Sequence, residues 1–147
     1  MNTKNNKKLG FSAYFCHDSY AAHVLDLEMK DGSPQINKVW CAIDCGIVVN
    51  PIAAKNMAEG GIVDAVGASM FGKMSFTKGV PDVNNFHNFR MIRHNEAPKA
   101  IEIYFVESTE DPTGMGEPAY PPVYAALANA MYKATGKRLY SQPFSLI

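Results

Sequence analysis

The sequence is poor in cysteine, and its three cysteines, Cys16, Cys41 and Cys45, are badly spaced for the sites that cysteine usually builds. An odd number with no close pair argues against a disulfide framework. An iron–sulfur centre is not expected either, because it normally needs four thiolates at short spacings. Cys41 and Cys45 would face the same side of an apolar strand, so we expect two small buried side chains. A two-cysteine metal site completed by a histidine is the alternative.

An excess of charge and a long apolar run are lacking too. The 14 basic and 14 acidic residues give a formal net charge of zero, which indicates neither a nucleic-acid-binding nor a membrane-binding surface. No apolar run approaches the roughly 18 residues of a membrane span. The polar and basic residues 1–8 are not followed by an apolar segment, so we expect no signal peptide and a cytoplasmic location. We also expect residues 1–8 to be disordered.

What the sequence contains is typical of one globular domain, which we place at residues 9–147. Of the 147 residues, 47% are hydrophobic and 19% are charged, and a chain of this length can bury a core. Ser19–Lys30 and residues 35–47 read as two strands joined by a hairpin at Asp31-Gly32. In the first strand, the alternation of side chains places four residues on one face: His23, Leu25, Leu27 and Met29. In the second strand, it places Val39, Cys41 and Ile43 on one face and Ile36, Trp40 and Ala42 on the opposite face.

A helix is predicted from Asn50-Pro51 to about Phe71, because Asn is a good N-cap and Pro suits the first helical position. The helix is unusually rich in glycine, and each glycine costs about 1 kcal/mol relative to alanine. A stripe of small residues on one side accounts for this, and it consists of Gly61, Ala65, Ala68 and Gly72. The stripe indicates either close packing on a sheet or the close approach of a flat ligand such as a cofactor.

The remaining elements complete an α+β pattern. Residues 73–77 and 100–107 read as strands, and residues 81–98 between them form a long irregular segment that is functional or wraps a partner. A second helix begins at Pro121-Pro122 and ends at Gly136, and its apolar face consists of Val123, Leu127, Ala130 and Met131. The predicted order is β-β-α-β-β-α, a two-layer sandwich of a mostly antiparallel sheet with two helices.

The Gly-Met-Gly-Glu-Pro turn at residues 114–118 is the strongest candidate for a functional site. It joins the last strand to the last helix, and its two glycines allow a ligand to approach the backbone closely. Glu117 is held beside Pro118 just before a helix, where a carboxylate can serve as a general base. A glycine-rich turn with a surface glutamate is the alternative.

Three ordered sequence blocks resemble one known protein type, and together they extend over residues 9–146. That type is the large molybdenum subunit of the xanthine dehydrogenase and aldehyde oxidase family, particularly the isoquinoline 1-oxidoreductase β-subunit branch, and only its C-terminal segment is represented. The blocks are Asp44-Cys45-Gly46 with Asn50-Pro51 and Glu59-Gly60-Gly61, then Asn85-Phe86-His87 with residues 93–98, then residues 114–118 with Pro121-Pro122 and residues 126–138.

The resemblance implies a molybdopterin cofactor, bound by part of a molybdopterin-binding domain, and a role for Glu117 as the general base in hydroxylation. No protein ligand to the metal is implied, because the pterin holds it. The cofactor-contacting positions match Met57, Gly60, Gly61, Gly114, Met115 and Gly116. Relatives carry a hydrogen-bonding Gln at position 57, and methionine cannot donate a hydrogen bond.

The implied partners are a chain that supplies the missing molybdenum-binding domain and an iron–sulfur electron-transfer subunit. We expect the isolated chain not to bind the cofactor, and self-association to a homo-oligomer is a further expectation. A truncated, non-catalytic module and a self-associating interaction domain remain alternatives to a part-enzyme. The histidines, His17, His23, His87 and His94, show no metal-ligand spacing and are expected to be structural.

Overall fold

A computed structural model describes residues 8–144. The main sheet has the strand order β1-β2-β3-β6, with β1–β2 and β2–β3 antiparallel and β6 parallel to β3. The predicted α+β class, with a mostly antiparallel sheet and two helices, is confirmed. The elements are β1 (Lys8–Cys16), β2 (Ser19–Lys30), β3 (Ser33–Asp44), α1 (Pro51–Phe71), β4 (Phe76–Thr77), β5 (Val80–Pro81), a 3-10 helix (His94–Glu96), β6 (Ile101–Phe105) and α2 (Pro122–Thr135).

The first strand, β1, was not predicted. It pairs with β2 through a two-residue turn, in which Cys16 lies opposite Ser19. Both turn residues, His17 and Asp18, adopt left-handed φ angles of 52° and 58°. Turns of this type usually carry Asn or Gly, so the sequence shows no hairpin signal here. Lys8 lies in β1, and the rest of the segment expected to be disordered lies outside the described residues.

The hairpin between β2 and β3 is confirmed, but one face assignment is wrong. Asp31 and Gly32 both have positive φ angles, and Lys30 pairs with Ser33. Leu27 pairs with Ile36 whereas Asp26 pairs with Lys38, so one extra residue of β3 bulges out of the ladder. A bulge reverses the alternation of side chains, and Ile36 is therefore buried with Val39 instead of facing away from it.

Helix α1 begins as predicted, because the Asn50 side chain accepts a hydrogen bond from the Ala53 N–H at 3.1 Å. Its residues 51–57 are exposed except for the half-buried Ala54. From Ala58 onward, one side of the helix joins the core through Ala58, Ile62, Ala65 and Val66. The first part of α1 therefore projects from the domain, and the second part anchors it.

The predicted small-residue stripe on α1 is not uniformly packed. A Cβ atom added to Gly61 would have no described atom within 4 Å outside the local helix backbone, whereas one added to Gly67 would lie 2.9 Å from the Ile92 side chain. Gly72 ends the helix, and its N–H donates to the Ala68 carbonyl. Close packing of a glycine of α1 thus occurs at Gly67, which is not part of the predicted stripe, against the long segment before β6, whereas Gly61 within the stripe is open.

Helix α2 covers the sheet from one side. Its predicted apolar face is fully buried, and Gly136 ends it with a φ of 74°. The buried face consists of Val123, Leu127, Ala130 and Met131. None of the helices formed by residues 8–144 is long and apolar enough to cross a bilayer.

His23 lies on the buried face of β2, as the alternation predicts, with 1% of its surface exposed. Neither ring nitrogen has a hydrogen-bond partner among the described residues. Burial lowers the pKa of His23 from 6.5 to about 4, because a charged imidazole is disfavoured away from water. The folded chain therefore keeps this ring neutral.

The open and closed glycines of α1 lead to opposite expectations for alanine. Gly61→Ala should raise the free energy of unfolding by about 1 kcal/mol, the usual helix-propensity gain. Gly67→Ala should lower the free energy of unfolding, because the close contact of the new methyl group with Ile92 outweighs the same gain. Denaturant unfolding of both variants measures the difference, and equal stabilisation by the two substitutions would contradict the packing described here.

His23 should make stability depend on pH. Between pH 6.5 and about 4, the unfolded chain binds a proton that the folded chain does not, so the free energy of unfolding falls as the pH decreases through this window. The pKa difference corresponds to roughly 3 kcal/mol. His23→Leu should remove this part of the pH dependence, and the exposed-site control His87→Leu should retain it. Chemical unfolding at a series of pH values tests this, and an unchanged slope in His23→Leu would refute it.

Candidate functional site

The turn at residues 114–118 is anchored at one end and exposed in the middle. Pro118 is fully buried and Ala119 nearly so, whereas Gly116 and Glu117 are exposed. The Tyr120 N–H donates to the Glu117 carbonyl at 2.7 Å and turns the chain toward α2. The Glu117 carboxylate is thus presented to solvent from a backbone that the core holds.

Hydrogen bonds tie the residues before Glu117 to the strands beneath them. The Thr113 N–H donates to the Cys45 carbonyl and the Gly114 N–H donates to the His17 carbonyl, both at 2.9 Å. The buried Ser19 hydroxyl donates to the Gly114 carbonyl at 2.5 Å and accepts from the Thr113 hydroxyl at 2.7 Å. The end of β3 and the β1–β2 turn therefore fix the position of the segment.

Gly114 is required by this arrangement. A Cβ atom at position 114 would lie 2.4 Å from the Cβ of His17 and 2.9 Å from its carbonyl oxygen. These distances are far below van der Waals contact, so any larger residue would push the two turns apart. The predicted role of Gly114 in contacting a cofactor remains a prediction, and its contact with His17 has a structural cause.

His17 lies directly beside the predicted base. Its Nε2 atom is 3.0 Å from Oε2 of Glu117, and the two side chains are 58% and 63% exposed. A carboxylate only accepts hydrogen bonds, so Nε2 carries the proton and donates it. Exposed pairs of this kind stabilise a fold by about 1 kcal/mol at most. The contact therefore orients the carboxylate more than it stabilises the domain.

Local sequence patterns do not connect His17 to the site. The two residues are 100 positions apart, and the contact depends on the unpredicted strand β1 and its unusual turn. Only a prediction of the β1–β2 hairpin would have brought His17 to the same edge of the sheet as residues 114–118. His17 was expected to be a purely structural histidine, and that expectation does not include its contact with Glu117.

The negative charge of Glu117 also affects Cys16, the last residue of β1. The pKa of the Cys16 thiol is raised, first by burial and second by the negative charge of Glu117. Cys16, His17 and Glu117 thus share one small region. Cys41 and Cys45 are buried free thiols, as expected, and no group of three possible ligands among residues 8–144 is arranged to hold a metal ion.

Helix α1 contributes Met57 to the same region. Met57 is 53% exposed, and its Sδ atom would lie 3.6 Å from a Cβ atom on Gly116. The structure therefore brings together two predicted cofactor-contacting residues that are distant in sequence. Gly60 instead borders a cleft of about 650 Å³ between α1 and the start of β6, so it faces a different part of the surface.

The backbone of the turn offers hydrogen-bond donors. Within residues 8–144, the N–H groups of Met115, Gly116 and Glu117 have no acceptor. Gly116 has neither a positive φ angle nor a neighbour that a Cβ atom would strike. The fold itself thus does not require glycine at position 116, and a group from outside the chain has room to approach these donors.

Known proteins with similar sequences are much longer than this chain. The isoquinoline 1-oxidoreductase subunit beta of Brevundimonas diminuta is 32% identical over 78% of this chain and 14% of its own length. The membrane-bound aldehyde dehydrogenase [pyrroloquinoline-quinone] of Gluconacetobacter polyoxogenes is 31% identical over 80% of this chain and 15% of its own. The chain therefore spans about a seventh of the length of these relatives.

A solved structure and a family profile agree with these sequence matches. Quinoline 2-oxidoreductase from Pseudomonas putida 86 has a similar fold, with a TM-score of 0.67 at 20% identity over 80% of this chain and 16% of that chain. The profile of the molybdopterin cofactor-binding domain matches residues 2–98, more than half of the sequence. The chain therefore belongs to the molybdopterin cofactor-binding domain family, and it corresponds to part of the molybdenum-binding subunit.

Proposed function

We propose that this chain supplies Glu117 as the general base of a molybdenum hydroxylase whose active site is completed by another polypeptide. The substrate class is an N-heterocycle or an aldehyde, in line with the names of the similar proteins. The observation that carries the proposal is the exposed Glu117 carboxylate on a turn that the β1–β2 hairpin and the end of β3 hold in place. A general base needs this combination of accessibility and fixed position.

The residues around the turn fit an anionic pterin cofactor. The N–H groups of Met115, Gly116 and Glu117 have no acceptor within the described part of the chain, and successive free N–H groups suit the binding of an anion. Gly116 leaves the backbone accessible without being required by the fold. We assign these residues, together with Gly114 and Met57, to contact with the part of the cofactor at the turn, and the α1 residues Gly60 and Gly61 to contact with a more distant part of it. When bound, the cofactor supplies the redox centre for hydroxylation.

Within residues 8–144, only one of the two Glu117 carboxylate oxygens has a partner. Oε2 accepts the hydrogen bond from Nε2 of His17, so Oε1 is left to take up a proton. Positioned bases contribute about 10²–10⁴ to a rate. Enclosure of the site by a second polypeptide would exclude water and strengthen the electrostatic interactions of the carboxylate.

A second polypeptide is proposed because the start of α1 and the segment before it are exposed. The exposed apolar residues are Ile47 and Val49 before the helix and Ile52 and Met57 within it. Apolar patches without a cover are typical of an interface. We assign this surface to the missing molybdenum-binding domain, expect an iron–sulfur subunit to carry the electrons away, and place the assembly in the cytoplasm. Self-association of this chain is the alternative use of the same surface.

A non-catalytic module is the second candidate function, and Met57 favours it. The thioether of methionine accepts hydrogen bonds weakly and donates none, whereas relatives were expected to carry glutamine at this position. With Met57 beside Gly116, contact to a cofactor at this point is limited to dispersion. A truncated chain that retains the fold and has lost the cofactor would tolerate this change.

Glu117→Gln should abolish turnover of the assembled enzyme. Glutamine keeps the size of the side chain but accepts no proton at neutral pH, so kcat should fall by about 10²–10⁴. Steady-state kinetics of the assembly with an aldehyde or an N-heterocycle, together with its molybdenum content, measure this effect. Full activity with glutamine at this position would refute the role of Glu117.

The isolated chain provides the control for that experiment. The substitution should shift its stability by less than about 0.5 kcal/mol, because the site is exposed. It should also lower the pKa of Cys16, since the charge of Glu117 is one cause of the raised value. Faster alkylation of Cys16 at constant pH would show that the carboxylate lies where the structure places it. Unfolding of the variant would identify Glu117 as a structural residue instead.

A further inference from the structure

We propose that His17 is a positioning residue for Glu117, which it holds by one carboxylate oxygen so that the other faces outward as the proton acceptor. The inference rests on the function proposed for Glu117. It concerns a histidine that neither the turn motif nor the family resemblance singles out. Its basis is the 3.0 Å contact between Nε2 and Oε2 and the way the two turns are joined.

The backbone at His17 has a conformation that few non-glycine residues adopt. Its φ angle of 52° lies in the left-handed region, and Asp18 beside it has a φ of 58°. Two-residue hairpins of this kind favour Asn and Gly, and strained non-glycine residues concentrate at functional sites. A turn that served only to reverse the chain would be more stable with Asn or Gly at position 17. The histidine at this position instead places an imidazole on Glu117.

The backbones of the two turns are held close together by hydrogen bonds. The Gly114 N–H donates to the carbonyl of His17 itself, and a Cβ at position 114 would collide with His17. Ser19, two residues after His17, donates to the Gly114 carbonyl. These contacts keep the backbones of the two turns at a distance that the imidazole and the carboxylate can bridge. Such support beneath a catalytic group is what holds it within the tolerance that catalysis needs.

An exposed glutamate without such a contact would sample several rotamers. Each side-chain torsion has three staggered wells, and a base that spends most of its time elsewhere is available to the substrate for only part of the time. One hydrogen bond to Oε2 selects the rotamer and leaves Oε1 unobstructed. A metal site is not a competing explanation, because Cys16, His17 and Glu117 do not form a ligand group in the described structure.

The test separates the side chain of His17 from its backbone. His17→Asn suits the left-handed turn but is too short to reach Glu117, whereas His17→Gln retains an N–H donor at about the same reach. His87→Asn, at an exposed histidine of the long loop, is the matched control. Three-bond Hα–Hβ couplings of Glu117 in the full-length isolated chain, measured by NMR, report whether one rotamer dominates.

Unequal couplings, which indicate one dominant rotamer of Glu117, are expected in the wild type, in His17→Gln and in His87→Asn. His17→Asn should instead show averaged couplings, and its melting temperature should not be lowered. Identical couplings in wild type and His17→Asn would overturn the inference, as would averaged couplings in the wild type. In the assembled enzyme, His17→Asn should lower kcat on the order of tenfold to a hundredfold with little change in KM, and His17→Gln should restore most of it. If Glu117→Gln abolishes turnover but His17→Asn does not lower kcat, the positioning role fails and the proposed function stands.

Discussion

The docking of residues 113–114 onto the β1–β2 turn is the constraint on which the candidate site depends. One backbone hydrogen bond, from the Gly114 N–H to the His17 carbonyl, and the buried Ser19 hydroxyl join these segments, and the contact is close enough to demand glycine at position 114. A second backbone hydrogen bond ties Thr113 to Cys45, just after β3. The exit of the chain from β6 and the entry into α2 are thereby fixed relative to the edge of the sheet. Pro118, on the C-terminal side of Glu117, is fully buried. The backbone is therefore held on both sides of Glu117, while its side chain is exposed.

Around this support, the domain divides into a closed half and an open half. The sheet, α2 and the second part of α1 share one core, whereas residues 51–57 of α1 and the 114–118 turn are exposed next to each other. The glycines follow a different division, since Gly67 and Gly114 are needed by the chain's own packing, and Gly61 and Gly116 are not. Residues that the fold does not require are those expected to face another molecule.

Much of this arrangement follows from local sequence patterns. Alternation and the Asp31-Gly32 pair predict β2, β3 and their hairpin, and the Asn50-Pro51 and Gly136 signals predict the helix ends, because each depends on neighbouring residues. The bulge that buries Ile36 and the strand β1 escape prediction, since the bulge interrupts the alternation and the β1 turn lacks Asn or Gly. The turn motif identifies Glu117, but its contact with His17 requires the tertiary fold. Binding of a cofactor by Met57, Gly60 and Gly61 stays a prediction.

The central claim is that this chain forms one part of a molybdenum site whose remainder lies on another polypeptide. The most direct measurement is elemental analysis of molybdenum across a size-exclusion profile of the tagged chain, purified from the cells in which it is made. The account predicts molybdenum that elutes with the chain in a larger assembly and is absent from the fraction of the free 16.1 kDa chain. Equimolar molybdenum in the free chain, or no molybdenum in any fraction that contains the chain, would contradict it.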